Sequence, residues 1–414
     1  MAPRVLILSW EYPPIVEGGL ARHVRNLSEH LVAQGAEVHV LTRGGHLPAE
    51  EDRHGVVVHR VPEPDFPKDN LDAFIAWVAR MNRDMAAAGE DLGERLAFDL
   101  VHSHDWLVAP AAQRLKRRFG TPWLVTVHAT EHGRHQGWVD KHPQSYIHGV
   151  ERRMVRAADR VITCSHYMKR HVTEVFGIAG ERVEVIANGI DPDDLKPVER
   201  IDLTQFRRRF AADDEKLILL VGRLVYEKGF HLALEALPRV IERLGKVRFV
   251  VAGTGTAEAD LKAQARKLRL TSHGTFIGWT GDDTLHSLYR VADLCVVPSI
   301  YEPFGLVALE AMASGCVCLV ADTGGLREVV PAGGKAALRF RARDPRSLGR
   351  MLEKMLTDAS LRERLVTEAR EHVRSFDWSE VARETAAVYT ELAAASSRRA
   401  RSSRPSARMP AQQA

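Results

Sequence analysis

The stretch 293–321 reads DLCVVPSIYEPFGLVALEAMASGCVCLVA, and its pattern decides the fold class. A short apolar run at 293–298 predicts a buried strand, and a second run at 317–321 predicts another. Between the two runs, a turn at Phe304 and Gly305 opens an apolar helix. A strand, a helix and a strand in this order indicate two parallel strands joined by a helical crossover.

The same alternation of strand-like and helix-like patterns extends over most of the chain. Predicted strands lie in the first half at 4–9, 37–42, 56–61, 99–103, 123–128 and 160–164, and in the second half at 217–221, 247–252, 274–278, 293–298 and 317–321. Leu20, Val24, Leu27 and Leu31 follow helical spacing and predict a helix that Gly35 ends. We therefore expect an α/β protein with two doubly wound domains.

The domain boundary is expected where this pattern pauses, at 188–216, a stretch with Pro192, Pro197 and mixed charge. This places a first domain at 1–195 and a second domain at 196–375.

The end of the chain divides into a helix and a tail. The segment 376–395 predicts a last helix, with Asp377 or Ser379 as its N-cap. The segment 396–414 is rich in Ser, Arg, Ala and Pro and lacks the apolar residues that a core needs. It is therefore predicted to be a disordered tail.

The charge balance argues against a nucleic-acid-binding protein. The 414 residues include 58 Lys and Arg against 54 Asp and Glu, a net charge of +4. Five Arg of the tail account for this excess, because residues 1–395 carry 53 basic and 54 acidic residues. Nucleic-acid binding needs clustered positive charge on the folded body, and this body is nearly neutral.

Cysteine use and apolar runs indicate an intracellular, cytoplasmic protein without a membrane span. The four Cys are too few for a disulfide framework in a chain of this length. The N-terminal apolar run at 5–8 is shorter than the ~7–15 residues of a signal peptide. No apolar run reaches the roughly 18 residues of a membrane helix, and 305–321 is interrupted by Glu310 and Gly315.

Two well-known nucleotide signatures are missing from the sequence. The loop after the first strand, 10–19, ends in paired glycines but contains no G-x-G-x-x-G, and Gly253-Thr254-Gly255 lacks a third glycine. No G-x-x-x-x-G-K-[ST] is present either. Backbone N–H groups at helix starts remain as the means to hold a diphosphate.

Glu302 and Glu310 flank the Phe304-Gly305 turn at the end of a predicted strand. Carboxylates there can accept hydrogen bonds from ribose or sugar hydroxyls, and the glycine lets backbone approach a ligand. The alternative is a helix-start Glu followed by a solvated helix Glu. Glu310 has apolar sequence neighbours, however, where an unpaired charge would be costly.

Gly222-Arg223 and Lys228-Gly229 bracket the loop after the predicted strand 217–221. Two cations in such a loop lie at the carboxyl end of a parallel sheet, where ligands bind. They could neutralise a leaving diphosphate, although either side chain alone would more often be simply solvated.

Together, these motifs resemble the retaining glycosyltransferases of family 4, whose GT-B fold has two Rossmann-like domains facing across a cleft. The resemblance covers about residues 1–395. It extends to the paired Gly18 and Gly19, to His128 and to Asn188-Gly189-Ile190-Asp191. The motifs at 9–14, 102–106 and 128–133 are most similar to bacterial glycogen-synthase-type α-1,4-glucan glucosyltransferases. Those synthases often carry Lys near the paired glycines, where this chain has Val16 and Glu17.

The resemblance implies roles for individual residues on the donor side. Glu310 would hold the ribose hydroxyls, and Glu302 would hold the donor sugar and phosphate together with the backbone of Phe304, Gly305 and Leu306. Arg223 and Lys228 would clamp the diphosphate. Gly18 and Gly19 would present backbone N–H groups from the opposite domain. The resemblance also implies that the last helix returns to the first domain, anchored by Phe376 and Trp378.

On the other side of the cleft, His128 would touch the donor sugar, and Asp105 and Asn188 would line the sugar or acceptor side. The implied reaction transfers glucose from UDP- or ADP-glucose to an α-1,4-glucan or related acceptor. No metal is expected, because the histidines at 102, 104, 128, 132 and 135 lack the H-E-x-x-H order. The base of the donor and the oligomeric state stay open.

Two other functions compete with this one. A transferase of the same fold could act on an inositol phosphate or on a lipid, and Lys116-Arg117-Arg118 is the candidate membrane-facing patch. A non-catalytic protein could bind a nucleotide sugar without turnover. The presence of Arg223, Lys228, Glu302 and Glu310 as one set argues against this last alternative.

Overall fold

Two sheets of mainly parallel strands organise the chain, as the alternating pattern predicts. The computed structural model describes residues 3–63, 67, 70–195 and 202–402. Within these residues the first sheet has eight strands in the order β3-β4-β2-β1-β5-β6-β7-β8, and the second has six in the order β11-β10-β9-β12-β13-β14. The strands of the first sheet are β1 (Arg4–Leu8), β2 (Glu37–Arg43), β3 (Glu50–Arg53), β4 (Val56–Val61), β5 (Leu100–His104), β6 (Trp123–Val127), β7 (Arg160–Thr163) and β8 (Val183–Val185). Those of the second are β9 (Lys216–Val221), β10 (Val247–Ala252), β11 (Gly274–Gly278), β12 (Leu294–Val297), β13 (Cys318–Ala321) and β14 (Leu338–Phe340).

Helices connect these strands and cover both faces of each sheet. In the first half they are α1 (Gly19–Ala33), α2 (Leu71–Leu96), α3 (Ala109–Phe119), α4 (Glu131–Arg134), α5 (Gln144–Ala157) and α6 (His166–Phe176). In the second half they are α7 (Leu203–Arg208), α8 (Phe230–Leu244), α9 (Glu258–Lys267), α10 (Asp282–Val291), α11 (Leu306–Ala313), α12 (Leu326–Val329), α13 (Pro345–Thr357), α14 (Ala359–His372) and α15 (Trp378–Ser402). Short 3-10 segments lie at Trp106–Val108, Gly180–Arg182, Tyr226–Lys228 and Val373–Ser375.

The strands form because their apolar runs can be buried on both faces. β1, β5 and β6 at the centre of the first sheet are buried along nearly their whole length, and so are β9, β12 and β13 in the second. Helical crossovers cover both faces of such a sheet, which explains the continuous apolar runs. The sequence did not predict β3, β8 and β14. These strands lie at or beside sheet edges, and they are too short for a clear pattern.

The last helix differs from the prediction at its end. α15 begins at Trp378, and the Asp377 carboxylate accepts a hydrogen bond of 2.7 Å from the Ser379 N–H, so Asp377 is the N-cap and Ser379 lies inside the helix. The expected disordered tail from 396 is wrong over 396–402, because α15 continues to Ser402. Arg, a good helix former, supplies three of the seven residues of this extension. The rest of the predicted tail, 403–414, lies outside the described residues, as does 196–201 at the expected domain boundary.

α15 packs across the first sheet and closes its open face. Trp378, Tyr389 and Leu392 are buried in the same apolar cluster as residues of β1 and α1. Tyr389 also bonds through its hydroxyl to His102 Nδ1 at 2.7 Å. Phe376 does not anchor the helix on the first domain as expected. Its half-buried ring packs on the ring of Phe304 in the second domain, with 6.0 Å between the ring centroids.

Trp378→Ala should destabilise the protein by about 3–5 kcal/mol, since its indole is 4% exposed and fills the space beside Gly189. Chemical denaturation followed by circular dichroism measures this change. Trp138→Ala is the matched control, because Trp138 is 76% exposed. Equal losses for the two variants would show that α15 does not anchor the first sheet.

Candidate active site

The predicted site residues lie in the cleft between the two sheets, where strands of both sheets end. The N-terminus of α1 meets the N-terminus of α11 there, and a Cβ on Gly19 would lie 3.0 Å from a Leu306 side-chain carbon. A cavity of about 270 Å³ adjoins this contact, and Arg22, Asn188 and Glu310 are among its lining residues. The two units therefore form one continuous site.

The two helix starts in this gap have backbone donors without side-chain caps. Neither Gly18 before α1 nor Gly305 before α11 supplies a capping hydrogen bond, and neither helix has an acidic residue in its first turn. The first N–H groups of a helix have no partner within the helix and carry a partial positive charge. Two such ends across a narrow gap favour an anionic ligand such as a diphosphate.

Glu11 positions the loop that carries the paired glycines, and the sequence did not reveal this role. Its Oε2 accepts hydrogen bonds from the backbone N–H groups of Glu17 and Gly18, the latter at 3.2 Å. Burial raises the pKa of the Glu11 carboxyl to about 7. Glu17 itself pairs with Arg43. Glu17 therefore supplies no positive charge in place of the Lys that the similar synthases often carry near the paired glycines.

Glu302 is the most tightly held of the predicted donor-site carboxylates. Its Oε2 accepts hydrogen bonds from Lys228 Nζ and from Ser299 Oγ, both at 2.9 Å, and the residue is 8% exposed. Lys228 reaches it because the loop turns sharply at Gly229, where φ is +69°. A Cβ there would lie 2.1 Å from the Pro298 carbonyl oxygen, so only glycine fits.

Arg223 projects into the cleft beside this pair. Its side chain is 56% exposed, and its nearest carboxylate is that of Glu227 at 3.8 Å. Gly253, which belongs to an incomplete nucleotide signature in the sequence, supports the Arg223 loop instead. Gly253 has φ of +135°, and a Cβ on it would lie 2.0 Å from the Gly222 carbonyl oxygen. Gly253 therefore permits close packing of two neighbouring βα loops.

Glu310 is held by contacts from both sides of the cleft. The Tyr289 hydroxyl donates a hydrogen bond of 2.8 Å to its Oε2, and Arg22 of α1 lies 3.6 Å from its Oε1. Arg22 also pairs with Asp282 of α10. Burial raises the pKa of Glu310, while Arg22 and Tyr289 favour its charged form. The sequence could not show that Arg22 contacts Glu310, because 288 positions separate them.

Asp105 and His128 form the first domain's side of the site. Asp105 has φ of +58°, which is unusual for a residue other than glycine, and its Oδ1 accepts a hydrogen bond of 2.8 Å from the His128 N–H. Burial raises the pKa of Asp105 to about 6 and lowers that of His128 to about 4. At neutral pH the His128 ring is therefore uncharged and can bond to hydroxyl groups.

Two family models match the chain. The model described as Glycosyltransferase Family 4 matches residues 17–194, and the one described as Glycosyl transferases group 1 matches residues 202–372. Over 399 residues the chain is 39% identical to a glycogen synthase of Mycobacterium tuberculosis, with 93% of this chain and 94% of that protein covered. The chain belongs to the family 4 glycosyltransferases.

More distant proteins agree with this assignment. The glycosyltransferase is 32% identical to a D-inositol 3-phosphate glycosyltransferase of Frankia alni, with 88% of this chain and 92% of that protein covered. Its structure resembles that of a sucrose-phosphate synthase from Thermosynechococcus elongatus with a TM-score of 0.80 at 23% identity, covering 95% of this chain and 100% of that one. The predicted GT-B fold is thus confirmed.

The glycosyltransferase has a further cation in its cleft that the sequence did not single out. The guanidinium of Arg134 makes no hydrogen bond or ion pair with another residue in the described part of the chain. The nearby carboxyl groups of Asp105, Glu131 and Glu151 raise its pKa. Burial raises the pKa of Glu151 to about 8, so this acid is largely protonated at neutral pH.

The predicted histidine set separates into different places. The ring of His132 lies at a tilt against the rings of His148 and His171, and His135 pairs with Glu131. His104 and His128 instead meet His23 of α1, which no spacing argument had included. His102 is a core residue, with both ring nitrogens bonded. Asn188 is buried beside His23, and both residues line the cavity that Glu310 also lines.

The proposed membrane-facing patch is largely neutralised. Lys116 pairs with Asp159 at 2.7 Å and Arg118 pairs with Glu94 at 2.9 Å. Among the residues that the structure describes, no helix is both long enough and apolar enough to cross a membrane.

The pH dependence of stability should report on Glu11. Because its pKa is raised to about 7 in the folded state, folding is favoured by Glu11 at low pH, and this contribution is lost as the pH rises through that value. Glu11→Gln cannot lose a proton. The free energy of unfolding of Glu11→Gln relative to wild type should therefore rise by roughly 2 kcal/mol between about pH 5 and about pH 8.

Urea denaturation at several pH values measures this difference. Glu242→Gln, on an exposed position of α8, corrects for the general effect of an amide substitution. A constant difference between Glu11→Gln and wild type over this range would contradict the assigned role of the Glu11 carboxyl.

Proposed function

We propose that this glycosyltransferase transfers glucose, with retention of the anomeric configuration, from a nucleotide diphosphate glucose to an α-1,4-glucan or related acceptor. The cleft supports the donor part of this proposal through one observation: two uncapped helix starts face each other beside Arg223, Lys228 and Glu310. The acceptor part rests on the identity of 39% with a glycogen synthase over nearly the whole chain.

The donor would lie on the second domain's side of the cleft. Glu310 would accept hydrogen bonds from the ribose hydroxyls, since its second oxygen faces the cavity beside Arg22. The Gly19 and Leu306 N–H groups would bind the diphosphate between the two helix starts. Trp279, which follows β11 and is 71% exposed, offers a flat apolar surface on which the base could stack.

Transfer breaks the bond between the anomeric carbon and the β-phosphate oxygen. The oxygen of an acceptor hydroxyl forms a new bond to that carbon on the same face of the sugar, and the hydroxyl proton passes to the departing phosphate oxygen. Negative charge then develops on the β-phosphate. Arg223 and Lys228 would stabilise this charge, and Glu302 would hold Lys228 in position while it contacts the donor sugar. The uncharged His128 would bond to a sugar hydroxyl from the opposite side.

No metal cofactor belongs to this proposal, because the cation pair takes the part that a metal plays in other transferases. The enzyme is proposed to act in the cytoplasm. The four cysteine thiols are free and buried, as suits a reducing compartment.

An acceptor that carries a phosphate is the second candidate, and Arg134 is the observation that favours it. This guanidinium has no ion pair among the described residues and lies on the acceptor side near Asp105. A guanidinium suits bidentate bonding to a phosphate. The Frankia alni relative is an inositol phosphate glycosyltransferase by its name.

A donor-by-acceptor panel tests both candidates. UDP-, ADP- and GDP-glucose are each combined with a glucan, an inositol phosphate or a lipid vesicle, and released nucleoside diphosphate is measured. The glucan proposal requires the highest kcat/KM with glucan. Preference for the inositol phosphate that disappears in Arg134→Ala would favour the second candidate. Tight binding of nucleotide sugar without release under any condition would indicate a non-catalytic protein.

Glu310→Gln should raise KM for the nucleotide sugar by roughly tenfold or more, because each charge-assisted bond to a ribose hydroxyl contributes about 1.5–3 kcal/mol. Steady-state kinetics with saturating acceptor measures this change. Glu363→Gln, at an exposed position of α14, is the control. An unchanged KM would remove Glu310 from the donor site.

Arg223→Ala and Lys228→Ala should each lower kcat by roughly 10²–10³, since these cations act on charge that develops in the transition state. Arg239→Ala, on the outer side of α8, should leave kcat unchanged. Thermal melting of each variant verifies that it is folded. A change in KM alone would show that the two cations contribute to binding and not to leaving-group stabilisation.

Treatment with EDTA should leave the wild-type activity intact, because the proposed leaving-group stabilisation uses only side chains and backbone N–H groups. The assay compares the activity of the wild-type enzyme in the presence and in the absence of EDTA. Loss of activity in EDTA with rescue by Mg²⁺ or Mn²⁺ would refute the cation-pair mechanism.

A further inference from the structure

Three imidazoles from three separate elements converge at the cleft face of the first domain. His23 lies on α1, His104 ends β5, and His128 directly follows β6. One ring nitrogen from each lies within 4.8 Å of one from each of the others. The sequence spacing conceals this group, because α1 is distant in the chain from the two strands.

The spacing of the three rings matches tetrahedral metal ligation. The ring centroids are 4.6 Å apart for His23 and His128, 5.4 Å for His23 and His104, and 5.3 Å for His104 and His128. Imidazoles bound to one Zn²⁺ at about 2.0–2.1 Å in tetrahedral geometry have ring centres about 5 Å apart. The ring nitrogens, which lie within 4.8 Å of one another, could therefore turn toward one ion without a large change in the spacing of the rings.

The hydrogen bonding of these rings is incomplete. His104 Nδ1 and His128 Nε2 are 3.0 Å apart and can share one proton. Neither ring nitrogen of His23 has a hydrogen-bond partner of normal geometry among the described residues, although Asn188 lies beside the ring, and His104 Nε2 has none either. His23 is 7% exposed and His104 is fully buried. Buried polar atoms without a partner are unfavourable, so an additional ligand would stabilise this group.

His102, the neighbour of this cluster, shows what a purely structural histidine looks like in the same core. Its Nδ1 bonds to the Tyr389 hydroxyl and its Nε2 bonds to Thr126 Oγ1, both at 2.7 Å. The cluster also has a path to solvent, since His23 lines the cavity of about 270 Å³ between the domains.

We propose that His23, His104 and His128 form a binding site for a divalent transition metal, with Zn²⁺ as the ion that fits best. Three imidazoles favour Zn²⁺, Co²⁺, Ni²⁺ or Cu²⁺, whereas Mg²⁺ and Mn²⁺ prefer oxygen ligands. A water molecule or a cleft ligand would complete the coordination. Where the proposed function holds, the bound ion would withdraw His128 from the donor sugar, so Zn²⁺ would act as an inhibitor and not as a cofactor.

Direct metal binding to the full chain, freed of any affinity tag and of metal, tests the site without any sugar nucleotide. We expect one Zn²⁺ per chain by titration against a chromophoric chelator, and Co²⁺ should give the visible absorption of a tetrahedral complex. His23→Gln and His104→Gln should each weaken Zn²⁺ binding by roughly tenfold or more. His46→Gln is the matched control, because His46 is exposed and distant from the cluster.

Zn²⁺ affinity that is the same in wild type, His23→Gln and His104→Gln would overturn the proposal, and so would the absence of stoichiometric binding. Because these variants could fold poorly, anomalous scattering from a wild-type crystal soaked in Zn²⁺ provides a second measurement. A peak between the three rings supports the site, and a peak only elsewhere refutes it. Failure of the transferase assays would leave these binding results unaffected.

Discussion

The architecture depends on the close approach of two helix N-termini, those of α1 and α11, across the cleft. Apart from the antiparallel edge strand β3, both sheets are parallel. Each therefore places the starts of its crossover helices at the carboxyl end of its strands, and these ends face each other. Gly19 allows the approach because it has no side chain. A Cβ at this position would lie only 3.0 Å from a side-chain carbon of Leu306. Bringing two partially positive ends together without an acidic cap is electrostatically unfavourable in the free protein. A diphosphate bound as we propose would remove that cost and would couple donor binding to the contact between the domains.

Local pattern predicted most of the strands because a parallel strand buried on both faces must be apolar along its length. The three strands that it missed are short and lie at or beside sheet edges, where fewer residues are buried and the pattern is weak. In the tail, the sequence pattern failed in the opposite way, because it predicted disorder where the structure has a helix. Low apolar content ruled out a core at 396–402, but a helix that starts on a buried Trp378 can extend beyond its last core contact when no Pro or Gly interrupts it.

The site residues that the sequence predicted differ from those that it missed in a similar way. Glu302 and Lys228 were singled out because each lies in a loop directly after a buried strand, and the structure joins them at 2.9 Å. Arg22 and Glu11 act through contacts that no local pattern contains. Arg22 meets Glu310 only because two domains face each other, and Glu11 is recognisable only once its burial beside the Gly18 N–H is known. Sequence reasoning found the groups that a strand end presents but not those that a tertiary contact creates.

The two sides of the cleft also differ in the charge of their side chains, and burial causes this difference. On the second domain's side, Arg223 is half-exposed and Lys228 pairs with the carboxylate of Glu302. On the first domain's side, burial keeps His128 uncharged and Glu151 largely protonated. Uncharged donors and acceptors suit the hydroxyl groups of a sugar, whereas fixed cations suit a phosphate that gains charge. An acceptor without charge is thus the simplest occupant of the first domain's side, and Arg134 is the one group there that argues for a phosphate.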